Sequence, residues 1–283
     1  EALKDQVFGP KREISLERAL LYKEAYEKTE GKPVIIRRAK ALENILLNMK
    51  ITINDGELIV GGRSHKPRMG VVSPEMDVDW FYKELDTIST RPQDRFEISE
   101  GDKKCFREVL YPYWNGKTLK NKINEMLPQH VKDAIATKIF KLNQTDKGQG
   151  HIIPGYARVL KMGIGGLLTR VKEKLQTAKE PSQKNFYEAA RIGLEASQKF
   201  ILRYRDLARQ LSREESSAER KAELDRIAEI CQKISSEPPE TFYEALQLFW
   251  FLNVIFQCES NASSISPGRF DQYMYPFYKK DTC

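Results

Sequence analysis

Between Ala245 and Phe256 the chain reads Ala-Leu-Gln-Leu-Phe-Trp-Phe-Leu-Asn-Val-Ile-Phe. A helix that is apolar all round is stable only when other elements enclose it. The run is well short of the ~20 apolar residues that cross a bilayer, and Gln247 and Asn253 interrupt it. It is therefore expected to be a buried helix. Thr241 and Glu244 stand before it at the spacing of a capping box, which fixes where the helix starts.

Three spans with helical periodicity precede it and can supply the enclosing layer: about Tyr156 to Ala178, Gln183 to Ser212 and Ser217 to Ser235. Gly163, Gly165 and Gly166 in the first of these are read as allowing close helix packing rather than holding a phosphate. Nearer the start, Ser15 is placed to cap a helix over Leu16 to Lys28, which Gly31 and Pro33 end. The next helix, about Ile36 to Met49, carries Ala39, Leu42, Ile45, Leu46 and Met49 on one face. Two β-rich runs, Ile51 to Ile53 and Leu58 to Val60, flank Asn54-Asp55-Gly56-Glu57 and read as a hairpin.

From Gly61 to Arg95 the chain is rich in Gly, Pro and polar residues, with one short helical piece around Trp80 to Leu85. Ser99 and Asp102 open a helix that runs to about Pro112, with Asn115-Gly116 as its stop. Further helices are expected near Thr118 to Met126 and Gln129 to Lys141. The resulting fold class is mostly α with some β, and 283 residues suffice for one large domain or two small ones.

Charge and cysteine usage exclude several functions. The net charge of +7 arises from 47 basic and 40 acidic residues mixed along the chain. The basic runs, such as Arg37-Arg38 and Lys279-Lys280, are short and lack interleaved aromatic platforms, so no nucleic-acid partner is expected. Cys105, Cys231, Cys258 and Cys283 are widely spaced with no CxxC pair, which fits a reducing, cytoplasmic setting. Only three histidines are present and none clusters with cysteines or carboxylates, so no metal site is expected.

Two places remain where chemistry could sit. His151 lies in the glycine-rich stretch Asp146 to Gly155, where an imidazole can donate to, accept from or protonate a small polar molecule. The second is Glu259-Ser-Asn-Ala-Ser-Ser-Ile-Ser-Pro-Gly-Arg-Phe-Asp-Gln-Tyr-Met-Tyr-Pro-Phe-Tyr278, directly after the buried helix. There Asn261, Ser263 and Ser264 offer short hydrogen-bonding groups at the end of an element, where pockets form.

This second segment resembles the Glu-Ser-Asn-Gly-His-Ser motif and the following Gly-Arg-Phe/Met-Asp-Gln-Tyr stretch of the pyruvate formate-lyase-like glycyl radical enzymes. Further blocks agree, among them Arg37-Arg38-Ala39-Lys40-Ala41, Glu57-Leu58-Ile59-Val60-Gly61, Tyr113-Trp114-Asn115-Gly116-Lys117-Thr118 and Gly150-His151. The resemblance extends over nearly the whole chain and is nearest to the dehydratase and lyase branch. It implies the N-terminal portion of a ten-stranded β/α barrel, with residues 1–283 giving the helical outer layer and part of the first half-barrel, and with the glycyl radical domain elsewhere.

The same resemblance implies a radical dehydration or C–X cleavage of a small polar substrate such as a diol or hydroxy amino acid. His151 matches the histidine that hydrogen-bonds the departing hydroxyl, and Ser264 matches the serine that ends the motif. Asn261 and Ser263 are further substrate-binding candidates. Ala262-Ser263 stands where the family has Gly-His, which removes an imidazole from the pocket wall and leaves amino-acid, sulfonate and polyol derivatives open. No bound cofactor is implied; a radical-SAM activase installs the radical on a glycine outside this chain, and neither the Gly-Cys-Val-Glu block nor the Arg-Val-Ser/Ala-Gly-Tyr block occurs here. The implied partners are that activase, the remainder of the enzyme chain, the substrate and a second copy in a homodimer. The alternative is a non-catalytic truncated helical module, or a partner that completes another chain.

Overall fold

The computed structural model describes residues 2–139, 151–260 and 264–282. The chain begins with α1 (Ala2–Phe8), β1 (Ile14–Ser15), α2 (Glu17–Lys28) and α3 (Val34–Asn48). A long irregular stretch follows that holds β2 (Gly70–Val71) and α4 (Asp79–Glu84). Next come α5 (Glu100–Cys105), a π-helical turn at Phe106–Leu110, α6 (Tyr111–Trp114), α7 (Leu119–Met126) and α8 (Gln129–Ala136). The remainder is β3 (His151–Ile152), α9 (Tyr156–Thr177), α10 (Pro181–Glu214), α11 (Ala218–Ile234), α12 (Phe242–Ser260), β4 (Ser264–Ile265) and α13 (Phe270–Thr282).

Helix α12 is the centre of the core, with Ala245, Leu248 and Phe251 entirely buried. Its capping box forms as the sequence requires: Glu244 N–H donates to Thr241 Oγ1, and Thr241 N–H donates to the Glu244 carboxylate. The long helix α10 packs against α11, α3 and α9, and α2 packs against α3. Burying this many large side chains, at roughly 1.5–3 kcal/mol each, is the main force holding the layers together. Arg203 on α10 ties that layer to α3 by donating to the Leu46 and Met49 carbonyls, both at 2.6 Å, which caps the helix's C-terminus. Among the described residues no helix is long and apolar enough to cross a membrane.

Strands are few and short. β1 pairs with β2 in parallel, Ile14 opposite Gly70, and β3 pairs with β4 in parallel, His151 opposite Ser264. The expected hairpin does not form. Its turn is present, with Gly56 at φ 74° and Glu57 N–H donating to Asn54 O, but the flanking runs make no ladder with each other. Their main-chain groups are taken by helices instead: Gln247 of α12 accepts from Val60 N–H and donates to Val60 O, and Arg220 of α11 donates to the Asn54 and Glu57 carbonyls. Long-range side chains thus outcompete the local pairing.

Two helix ends also differ from expectation. Ser15 belongs to β1, and α2 starts at Glu17 without a side-chain cap, Ser15 Oγ lying a long 3.4 Å from the Glu17 N–H. Helix α8 ends at Ala136, short of Lys141, a residue outside the described set. Ser99 caps α5 as its sequence position requires, and Thr118 caps α7 in a box with Asn121, a partner outside the usual Glu or Gln pattern.

The glycines of α9 admit a loop rather than a helix. Gly163 has φ 69° and ψ 165°, a conformation essentially confined to glycine. A Cβ there would lie 2.6 Å from Pro238 N and from Ser236 O, and Gly165 N–H donates to that same Ser236 carbonyl. Gly163→Ala is expected to destabilise the fold by at least about 2 kcal/mol in urea denaturation, from strain alone before the clash is counted. Gly166→Ala, whose Cβ meets only Met162 at 3.6 Å, is expected to be neutral or to stabilise by up to about 1 kcal/mol. Equal effects of the two substitutions would show that the backbone kink does not constrain the chain.

Candidate functional site

The buried helix α12 ends at Ser260, and its last turn leaves carbonyls without helical partners at the negative end of the helix dipole. Arg18 on α2, 3% exposed, supplies donors: Nε to Cys258 O at 2.8 Å and Nη2 to Glu259 O at 3.0 Å. Its Nη1 donates to Ser73 Oγ, and Nη2 lies 2.7 Å from Glu75 Oε1 in a buried ion pair. Burial works against the Arg18 charge, and Glu75 beside it more than offsets that, so the guanidinium stays protonated. Arg38 on α3 pairs with the Glu259 carboxylate. The end of α12 is therefore fixed from two helices.

Just beyond it, β4 lies beside β3 with Ser264 directly opposite His151 and Ile265 opposite Ile152. Registered residues of a parallel pair point to the same face, with strands about 4.8 Å apart. His151 and Ser264 thus stand side by side on one face. Ile265, on the other, packs against the core, and His151 is exposed. Ser264 Oγ is 3.3 Å from Ser266 Oγ, and Ser266 N–H donates to Ile152 O at 2.9 Å to extend the ladder.

Asn253 sets where this ladder sits. From within α12 its Nδ2 donates to Ile265 O and to the Tyr156 hydroxyl, each at 3.3 Å, while Gln257 Nε2 donates to its Oδ1 at 2.6 Å. Tyr156 opens α9 four residues after β3 ends, so one amide links the core helix to the β4 strand and to the helix that follows its partner. Neither Asn253 nor Tyr156 was marked by a local motif. The signal that could have found Asn253 is a polar residue in an otherwise apolar run, since a buried amide has to find partners.

The sequence candidates divide accordingly. His151 and Ser264, 113 positions apart by their numbers, are brought together. Asn261 and Ser263, with Ala262, lie outside the described residues, as does the glycine-rich sequence before His151 up to Gly150. Burial pushes the Cys258 thiol up to about 11 and Cys231 up to about 12, and burial also raises Cys105, so none of these three is held as a thiolate at neutral pH. An imidazole beside a hydroxyl can hold a small polar molecule by both donating and accepting, and the imidazole can pass a proton.

The family model described as pyruvate formate lyase-like matches residues 1–283. The chain belongs to that family. The glycerol-bound B12-independent glycerol dehydratase from Clostridium butyricum superposes on it with a TM-score of 0.95 at 40% identity, covering 99% of this chain and 36% of the other. The (2S)-3-sulfopropanediol dehydratase of Klebsiella oxytoca is 37% identical over 95% of this chain and 34% of its own. The same identity and coverage hold for the probable dehydratase YbiW of Escherichia coli K12. The chain spans about a third of the length of these relatives, and its mostly helical architecture corresponds to the N-terminal part of glycyl radical enzyme structures.

For a member of this family the geometry makes Arg18 a structural linchpin rather than a polar accident. Arg18→Met is expected to cost about 3–5 kcal/mol in chemical denaturation, because Glu75 is left buried and unpaired and two helix-end carbonyls lose their donors. Adding Glu75→Gln in the same chain is expected to recover part of that loss. A single variant within 1 kcal/mol of the parent, on the scale of an exposed pair, contradicts this account.

Proposed function

We propose that residues 1–283 are the N-terminal part of a pyruvate formate lyase-like domain in a glycyl radical dehydratase or C–X lyase. In it, His151 assists the group that departs from a small polar substrate, and Ser264 orients that substrate. The observation that carries this reading is the parallel register that sets His151 opposite Ser264, two residues that the sequence resemblance singled out separately. It is supported by the relatives, which include dehydratases of glycerol and of (2S)-3-sulfopropanediol.

In this reading the imidazole of His151 hydrogen-bonds the leaving hydroxyl and gives it a proton as the C–O bond breaks. Ser264 fixes the substrate's orientation through its hydroxyl, and Asn261 and Ser263 complete the same wall. The radical that takes a hydrogen atom from the substrate is carried by residues outside this chain and is installed by a radical-SAM activase. The working enzyme is cytoplasmic, and a homodimer fits the family. The substrate belongs to the class of diols, hydroxy amino acids and hydroxylated sulfonates, in keeping with Ala262-Ser263 in place of Gly-His.

The test uses the full-length protein, anaerobically activated and screened against those substrate classes. His151→Ala is expected to lower kcat by about 100-fold or more, the scale of a lost general acid. Ser264→Ala is expected to raise KM about tenfold with a smaller effect on kcat, as for lost uniform binding. Unchanged turnover in His151→Ala would refute the leaving-group role.

A further inference from the structure

Away from the β3–β4 ladder, a cavity of about 480 Å³ opens between α2, α3 and the turn after α6. Its walls include Tyr22, Tyr26, Arg37, Glu75, Trp114 and Lys117. Five buried side-chain nitrogen or oxygen atoms lack a hydrogen-bond partner among the described residues, and four of them belong to this wall: both Glu75 oxygens, Trp114 Nε1 and Arg37 Nε. Glu75 is 7% exposed and Trp114 3%. The contact of Glu75 with Arg18 is a close ion pair, yet neither carboxylate oxygen receives a well-directed hydrogen bond. Buried polar atoms of this kind are costly unless something satisfies them, and native folds leave few.

The unsatisfied groups are of both signs. Glu75 Oε2, the oxygen turned away from the close Arg18 contact at Oε1, offers an acceptor next to three aromatic rings, with Tyr22 and Tyr26 at 4.7 Å, Tyr26 and Trp114 at 5.4 Å, and Tyr22 and Trp114 at 5.9 Å between centroids. Arg37 and Lys117 are cations that lean on the rings of Tyr26 and Tyr113, and neither has a carboxylate partner among the described residues. Arg38 and Lys122 at the same cavity are already paired with Glu259 and Glu125. Arg18 already balances the Glu75 charge, so the open demand there is for a hydrogen-bond donor at Oε2: a simple anion leaves that oxygen without one, and a simple cation leaves Arg37 and Lys117 without an acceptor. A molecule carrying both charges a few ångström apart meets both demands.

We propose that this cavity binds a small zwitterion of the amino-carboxylate class. The ammonium group lies against Glu75 among the aromatic rings, where charge-assisted hydrogen bonding and ring quadrupoles both favour it. The carboxylate is taken by Arg37 and Lys117, with the Trp114 indole N–H as an additional donor. The cavity's size, within the usual range for small-molecule sites, leaves room for an amino-acid side chain.

The full-length protein, left without radical activation so that no turnover occurs, is titrated with the common L-amino acids one at a time by ligand-observed NMR. At least one is expected to bind with a Kd below about 1 mM, a modest affinity for a few charged contacts. For that amino acid, the analogues lacking only the amine or only the carboxylate are expected to bind about tenfold or more weakly. Lys117→Ala, an exposed position that leaves the core intact, is expected to weaken binding about tenfold, as are Arg37→Ala and Glu75→Gln. His151→Ala is expected to bind as the parent does, which separates this site from the substrate wall. No binding by any amino acid, equal binding of the single-charge analogues, loss of binding in His151→Ala, or retention in both Lys117→Ala and Arg37→Ala overturns the proposal.

Discussion

One guanidinium organises this part of the molecule. Arg18 holds the end of the core helix α12 by its Cys258 and Glu259 carbonyls and at the same time neutralises Glu75. Removing water from an arginine and a glutamate is favourable only when the surrounding geometry is closely matched, and here one planar fork serves helix end, serine and carboxylate together. The β4 strand starts a few residues after Ser260, and Asn253, one and a half turns before the anchor, fixes its height against β3. The ladder that unites His151 and Ser264 is only two residues deep, so it has little stability of its own and depends on the rigid helix behind it.

Much of the helical layer was legible in the sequence because it rests on local rules. The long spans of α9, α10 and α11 showed a helical period, the Thr241 and Glu244 box marked α12, and Ser99 with Asp102 marked α5. What was not legible depended on partners far away in the chain. The runs around Asn54 to Glu57 have the composition of a hairpin, but Gln247 and Arg220, more than 160 residues on, claim their main-chain groups. The π-helical turn at Phe106–Leu110 likewise has no signature in composition, and nothing in the structure explains it.

The site was half legible. His151 stood out in a glycine-rich stretch and Ser264 in a serine-rich one, and family resemblance gave each a role, yet neither segment announces a strand. Two-residue strands fall below any period that can be counted, and pairing them requires knowing that Tyr156, Asn253 and Ile265 meet. The cavity at Glu75 was invisible for the same reason: Tyr22, Arg37, Glu75 and Trp114 come from separate segments, and only packing shows that their unsatisfied atoms share a wall.

The central claim is that the ladder makes His151 and Ser264 one site. A double-mutant cycle on kcat/KM in the activated full-length protein, combining His151→Ala and Ser264→Ala against the substrate it turns over, measures this directly. Neighbouring residues that grip the same substrate molecule are expected to couple by about 1 kcal/mol or more, so that the double variant loses clearly less than the sum of the singles. Losses that add to within about 0.5 kcal/mol would mean that the two residues act independently, and would contradict the account.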